Sequence, residues 1–270
     1  MAKRHSDFAA LQSLFPFKLF LFVLACFGLL LSAAALLLQV GAINQNGVRG
    51  MFDWLMVQLL AQSNIGGGNG LRALAFVLLG VVSLSPATNK RALGFPRIST
   101  ALYLLGLLCF ASSFAYLGHV ATQSSLARVA IVLHIGAVGL WLGALLPLWI
   151  LCWRQEAGYL LPLMRAFGDY GWWIIATLVL AGGYLVTVLI TSPSHLFSSL
   201  YGLMLGTKLL LVMCLLALAA SNKFILVKRL NEGRVLGLRR SIGVEMILAL
   251  IIMLVTAALT TFTGPMEMAA

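Results

Sequence analysis

Two histidines, His119 and His134, flank a short polar loop, Ala121 to Leu126, that joins two long apolar runs. If those runs form a helical hairpin, both imidazoles fall in one layer and can serve as a ligand pair. A third imidazole, His195, lies in the segment Thr191 to Gly202. The chain ends in Met266-Glu267-Met268, two thioethers around a carboxylate, and Met51, Met56 and Met204 fall toward the same side. Imidazole together with thioether is the donor set that suits Cu(I). The bland alternatives stay open: a His at a helix end commonly bonds backbone or headgroup, and most Met in an apolar chain are packing residues. His134 is set deepest, where an imidazole needs a partner in a lipid-facing protein.

Other polar residues interrupt the apolar runs. Lys208 stands about five residues, roughly 7 Å, below the outer end of its run, within reach of the surface by snorkelling. Glu245 lies a similar depth from the inner end of the last run, too far from Lys208 in depth to pair with it. Its partners are expected among Arg239, Arg240, Asn222 and Lys223, and proximity to a helix N-terminus favours a structural role for the carboxylate. The four cysteines, Cys26, Cys109, Cys152 and Cys214, show no CxxC spacing and are expected to pack rather than form disulfides or a zinc site.

These side chains must be held by elements built from an unusual composition. Of 270 residues, 61% are hydrophobic and 9% charged, yet the net charge is +11. Soluble domains carry about 25% charged residues, so the composition requires a bilayer. Runs of about 20 apolar residues cross its hydrocarbon core. They are expected at Phe17 to Val40, Leu71 to Leu84, Ile98 to Leu117, Val129 to Leu151, Trp172 to Ile190, Leu203 to Phe224 and Ile242 to Phe262. The second is short, at about 21 Å, but with it counted as a span the basic residues sort cleanly. Fourteen of eighteen fall on the N-terminal side of the membrane, only Arg49, Arg72 and Arg128 on the other, and Lys208 within a span. The positive-inside rule then puts the N-terminus in the cytoplasm and the C-terminus on the outer side.

The chain is therefore expected to be an all-α, polytopic bundle of about seven transmembrane helices forming a single membrane domain, residues 1–270. The first run is expected to be an anchor rather than a cleaved signal. An interfacial amphipathic helix is expected at residues 50–62, from Phe52, Leu55, Met56, Leu59 and Leu60 at helical spacing. Gly66-Gly67-Gly68-Asn69-Gly70 reads as a flexible turn after it. The glycines Gly139 and Gly143 form a G-x-x-x-G face for a neighbouring helix. The lipid bilayer is the partner that composition implies. Nucleic acid is not, because the basic residues sit in short loops between spans. No ATP-binding motif is present and no enzymatic activity is expected.

The block His134 to Pro147 (HIGAVGLWLGALLP) with Trp141 inside it, the preceding Gly118-His119, and Gly206-Thr207-Lys208 leading to Asn222-Lys223-Phe224 follow in order. With Arg239-Arg240-Ser241, Glu245 and Pro265, this series resembles the copper resistance protein D family over roughly residues 52 to 265. Two features depart from it: the family's usual first helix is missing, leaving seven spans of eight, and the glycine-rich stretch replaces a Phe-Gly turn. The resemblance implies a multi-pass protein of the bacterial inner membrane that transports or handles copper, beside a periplasmic partner of the copper resistance protein C type. It makes copper the implied ion, His119, His134, His195, Met266 and Met268 the candidate ligands, and Lys208, Glu245, Trp141 and Asn222 further functional candidates. Two other classes remain: a b-type haem electron carrier with paired axial His, and a scaffold whose glycine-rich helices bind a membrane partner.

Overall fold

With no water in the hydrocarbon core, a backbone that crosses it must satisfy its N–H and C=O groups internally, and the apolar runs do so as helices. The computed structural model describes residues 2–84, 97–189 and 200–262. Among the described residues every regular element is helical. Seven segments are long and apolar enough to cross a membrane: Lys18–Asn44, Asn64–Leu84, Ile98–Tyr116, Ser125–Arg154, Ala157–Val188, Tyr201–Glu232 and Val235–Thr260. They are called the first to seventh spans below. Their outward surfaces are apolar, with Leu30, Leu180, Leu210 and Leu254 each more than half exposed. In water so much apolar surface would aggregate; here it is the face that meets lipid. The chain is an all-α, multi-pass membrane protein.

Two compact units make up the chain, Met1–Gly136 and Ala137–Ala270. In the first unit the second span packs along both the first and the third. Gly28 of the first span lies against the ring of Phe76 in the second, so closely that a Cβ there would overlap the ring. Between these spans an eight-residue helix, Trp54–Ala61, is capped by Asp53, whose Oδ1 accepts from the backbone N–H groups of Leu55 and Met56 at 3.1 and 3.2 Å. Trp54 and Leu55 are exposed on it. In the second unit a core of Trp141, Leu145, Leu148, Leu160, Met164, Leu238 and Ile242 joins the fourth, fifth and seventh spans, with Leu215, Val227 and Leu230 from the sixth.

The glycine-rich stretch corrects the sequence expectation. Gly66 to Gly70 is not a flexible turn but part of the helix Asn64–Leu84. That helix has 21 residues and a length of about 32 Å, enough to cross. Glycine costs a helix about 1 kcal/mol relative to alanine, and close packing offsets this. A Cβ at Gly68 would stand 3.1 Å from the Ser113 carbonyl oxygen and 2.9 Å from Leu117 Cγ. Some of the other spans also extend beyond their apolar stretches. The fifth begins at Ala157 rather than Trp172, and the seventh at Val235 rather than Ile242. Polar flanks continue the helical hydrogen bonding until a break such as Gly233, at φ +74°, ends it.

Candidate functional site

The histidine pair belongs to the first unit. The third span ends at Tyr116, after which extended Leu117 and Gly118, at φ +65°, turn the chain into a 3₁₀ segment, Gly118–Thr122. The backbone of His119 is in that turn, so it does not end the third span as the sequence suggested. The next helix starts at Ser125, four residues earlier than expected, and His134 is its tenth residue. That places it about 14 Å along the helix, half-buried and deeper than the sequence indicated. His195, Met266 and Met268 lie outside the described residues, and so does the side chain of His119.

Beside these residues the first unit holds a set of polar contacts the sequence did not disclose. Arg72, counted on the outer side at the start of the second run, is the ninth residue of the helix Asn64–Leu84. Its Nε donates to Ser113 Oγ at 3.0 Å, and its guanidinium carbon lies 4.6 Å from the centroid of the Phe114 ring. Ser113 is fully buried and donates in turn to the Phe110 carbonyl at 2.7 Å. Asn69, also buried, donates to the Ile65 carbonyl at 3.1 Å and to Gln39 of the first span at 3.4 Å. A cation on an apolar helix is thus held by a hydroxyl and an aromatic face rather than by a carboxylate.

In the second unit the structure brings Trp141, Asn222 and Glu245 together around one cavity of about 200 Å³. Glu245 is buried, 3% exposed, on the third turn of a helix that starts at Val235. The helix dipole acts within the first turn, so it is not what holds this carboxylate. Of the four partners expected for Glu245, the structure selects one: Asn222 Nδ2 donates to Glu245 Oε1 at 2.5 Å. Lys223 turns the other way, donating to the Gly168 carbonyl at 2.6 Å with Asp169 Oδ1 at 3.5 Å. Both side chains issue from a π-helical turn, Asn222–Leu226, where the sixth span departs from α geometry. Such turns are uncommon and recur at functional sites because the added residue re-aims side chains around it. The Lys223 clamp and the π turn went unseen in the sequence; their only signal was a polar Asn-Lys pair after a long apolar run.

Lys208 is half-buried in the sixth span. Cys109 and Cys152 are buried, whereas Cys26 and Cys214 are exposed on the outer surfaces of their helices. Among the described residues no three His, Cys, Asp or Glu side chains stand together in a way that could hold a metal ion. Of the candidate ligands read from the sequence, His134 has a described side chain, whereas the His119 side chain, His195, Met266 and Met268 fall outside the described side chains. Of the two glycines of the G-x-x-x-G face, Gly143 is exposed, and a Cβ on it would meet nothing within 4 Å.

Comparison with known proteins bears out the resemblance read from the residues. Residues 161–259 match the copper resistance protein D family. This segment contains the π turn, Lys223, Asn222 and Glu245. The chain is also 28% identical over 214 residues to the inner membrane protein YebZ of Escherichia coli (strain K12), an alignment that covers 75% of this chain and 69% of that protein. No solved structure matches the chain.

Proposed function

We propose that this chain handles copper at the bacterial inner membrane, taking up or passing on the ion at its periplasmic face without acting as an enzyme. The match of residues 161–259 to the copper resistance protein D family carries this reading. The inner membrane follows from the relative so named and from seven apolar helices. In this proposal copper is cargo. His134, half-buried along the fourth span, is the anchor ligand, joined by His119 across the short loop; His195, Met266 and Met268 are further candidates by residue type. Imidazole and thioether donors favour Cu(I) over harder cations. A soluble periplasmic protein of the copper resistance protein C type would be the donor or acceptor.

Metal analysis of the purified protein tests the proposal. The wild type purified from copper-supplemented cells is expected to carry copper at close to one ion per chain, and the double variant His119→Ala, His134→Ala to lose most of it. Equal copper in both proteins, at equal abundance, would reject these ligands.

A further inference from the structure

The turn between the sixth and seventh spans carries charge that copper ligation does not use. From Leu226 to Arg240 it holds Lys228, Arg229, Arg234, Arg239 and Arg240 against a single acid, Glu232. Arg239 is engaged elsewhere, its guanidinium carbon 3.7 Å from the centroid of the Trp153 ring. The turn closes as a glycine-capped helix end. Gly233 N–H donates to the Leu230 carbonyl at 3.0 Å and Arg234 N–H to the Arg229 carbonyl at 3.3 Å, with Gly233 at a left-handed φ of +74°. This closure sets residues 229 and 234 side by side, where a hydrophobic contact commonly accompanies it. Here both are arginine. Glu232 Oε2 lies 3.3 Å from Arg234 Nε, and among the described residues no carboxylate pairs with Arg229.

Arg229 and Arg234 line an open groove of about 510 Å³ whose walls include Leu226, Val235 and Leu236. One water takes about 30 Å³, so the groove has room for far more than a bare ion. Its apolar wall continues toward the hydrocarbon core. Leu236, Arg240 and Ile247 recur at i, i+4 and i+11 on one face of the seventh span, and all three are exposed. Like charges set side by side repel, and a phosphate that accepts from both guanidinium groups removes that cost. We propose that this groove binds an anionic phospholipid, its phosphodiester seated between Arg229 and Arg234 and its acyl chains lying along the face that runs to Ile247. Basic pockets between transmembrane helices on the cytoplasmic side hold such headgroups, and the positive-inside rule puts this turn on that side. General attraction of a basic surface to anionic lipid needs only net charge; this site needs guanidinium groups at these two positions.

The test is native mass spectrometry of the delipidated full chain in detergent micelles, titrated with dioleoyl phosphatidylglycerol or dioleoyl phosphatidylethanolamine. The two lipids share their acyl chains and differ in headgroup charge. A basic residue beside an anionic surface contributes about fivefold in affinity, so the wild type is expected to bind the first phosphatidylglycerol at least about 20-fold more tightly than phosphatidylethanolamine. The double variant Arg229→Gln, Arg234→Gln should bring the two lipids within about twofold of each other. Arg154→Gln, Arg165→Gln removes the same charge from exposed positions outside the groove and should keep the preference. Arg229→Gln alone leaves the Arg234–Glu232 pair in place and should lower the preference about fivefold, which keeps the test decisive where the groove double variant fails to fold. Equal binding of the two lipids to the wild type would overturn the proposal and leave the basic rim to an acidic soluble partner. Equal losses in the two double variants would also overturn it, since net charge alone would then attract the lipid. So would displacement by an equal concentration of soluble glycerophosphoglycerol, which would make the ligand a free phosphodiester.

Discussion

Asn222 and Glu245, from the sixth and seventh spans, are joined by a hydrogen bond of 2.5 Å at the polar end of an otherwise apolar cavity. Removing one partner of such a pair strands the other in a medium without water. Glu245→Ala is expected to lower stability by about 1–2 kcal/mol, the upper range for polar contacts inside membrane proteins. Glu245→Gln keeps an acceptor oxygen for the Asn222 amide and should cost less than half as much. Unfolding in mixed micelles with increasing denaturing detergent measures both.

Arg72 is held by Ser113 and by the face of Phe114. Ser113→Ala should cost about 1 kcal/mol and Phe114→Leu about 0.5–1 kcal/mol. Because both act on one guanidinium, the double variant should cost less than the sum. A double-mutant cycle of unfolding free energies reads the coupling, and strict additivity would show that Arg72 does not link them.

Glycines of one short run should respond in opposite directions. A Cβ at Gly66 would run into the backbone carbonyl of Ala61, whereas one at Gly70 meets nothing within 4 Å. Gly66→Ala is expected to destabilise the first unit by more than 2 kcal/mol, as backbone overpacking does. Gly70→Ala should stabilise it by about 0.5–1 kcal/mol through helix propensity. Thermal unfolding of the two variants beside wild type decides the matter. Similar losses from both would instead fit a turn that needs glycine throughout.

The orientation expected from the basic residues has its own test. With seven spans the termini lie on opposite sides of the membrane. Alkaline phosphatase, which folds only in the periplasm, should be active when fused after Gly264 and inactive when fused next to Lys90. A fluorescent protein that folds only in the cytoplasm should show the reverse. Phosphatase activity at the Lys90 fusion would invert the assignment.

Composition and run length alone determined that this is an all-α membrane protein, with seven candidate spans among its described residues, because a helix of about 20 apolar residues satisfies its own backbone in lipid. The ordered series of blocks from Gly118-His119 to Glu245 was also sufficient for the family resemblance, which residues 161–259 bear out. Helix ends were less legible. The glycines before Arg72 looked like a turn, yet a helix that packs against Ser113 and Leu117 carries them. Hydropathy registers the cost of a polar group but not the neighbour that offsets it.

The tertiary structure alone decided which polar residues meet. Glu245 had four candidate partners within reach along the chain, and the π turn at Asn222–Leu226 selected Asn222 while directing Lys223 to Gly168. Two adjacent residues were thereby sent to different helices, and one extra residue in a helical turn has no signature in apolar periodicity. Trp141, Gly171 and Ala219 became walls of one cavity for the same reason: their shared space is set by how three helices pack, a relation among distant residues that no local pattern records.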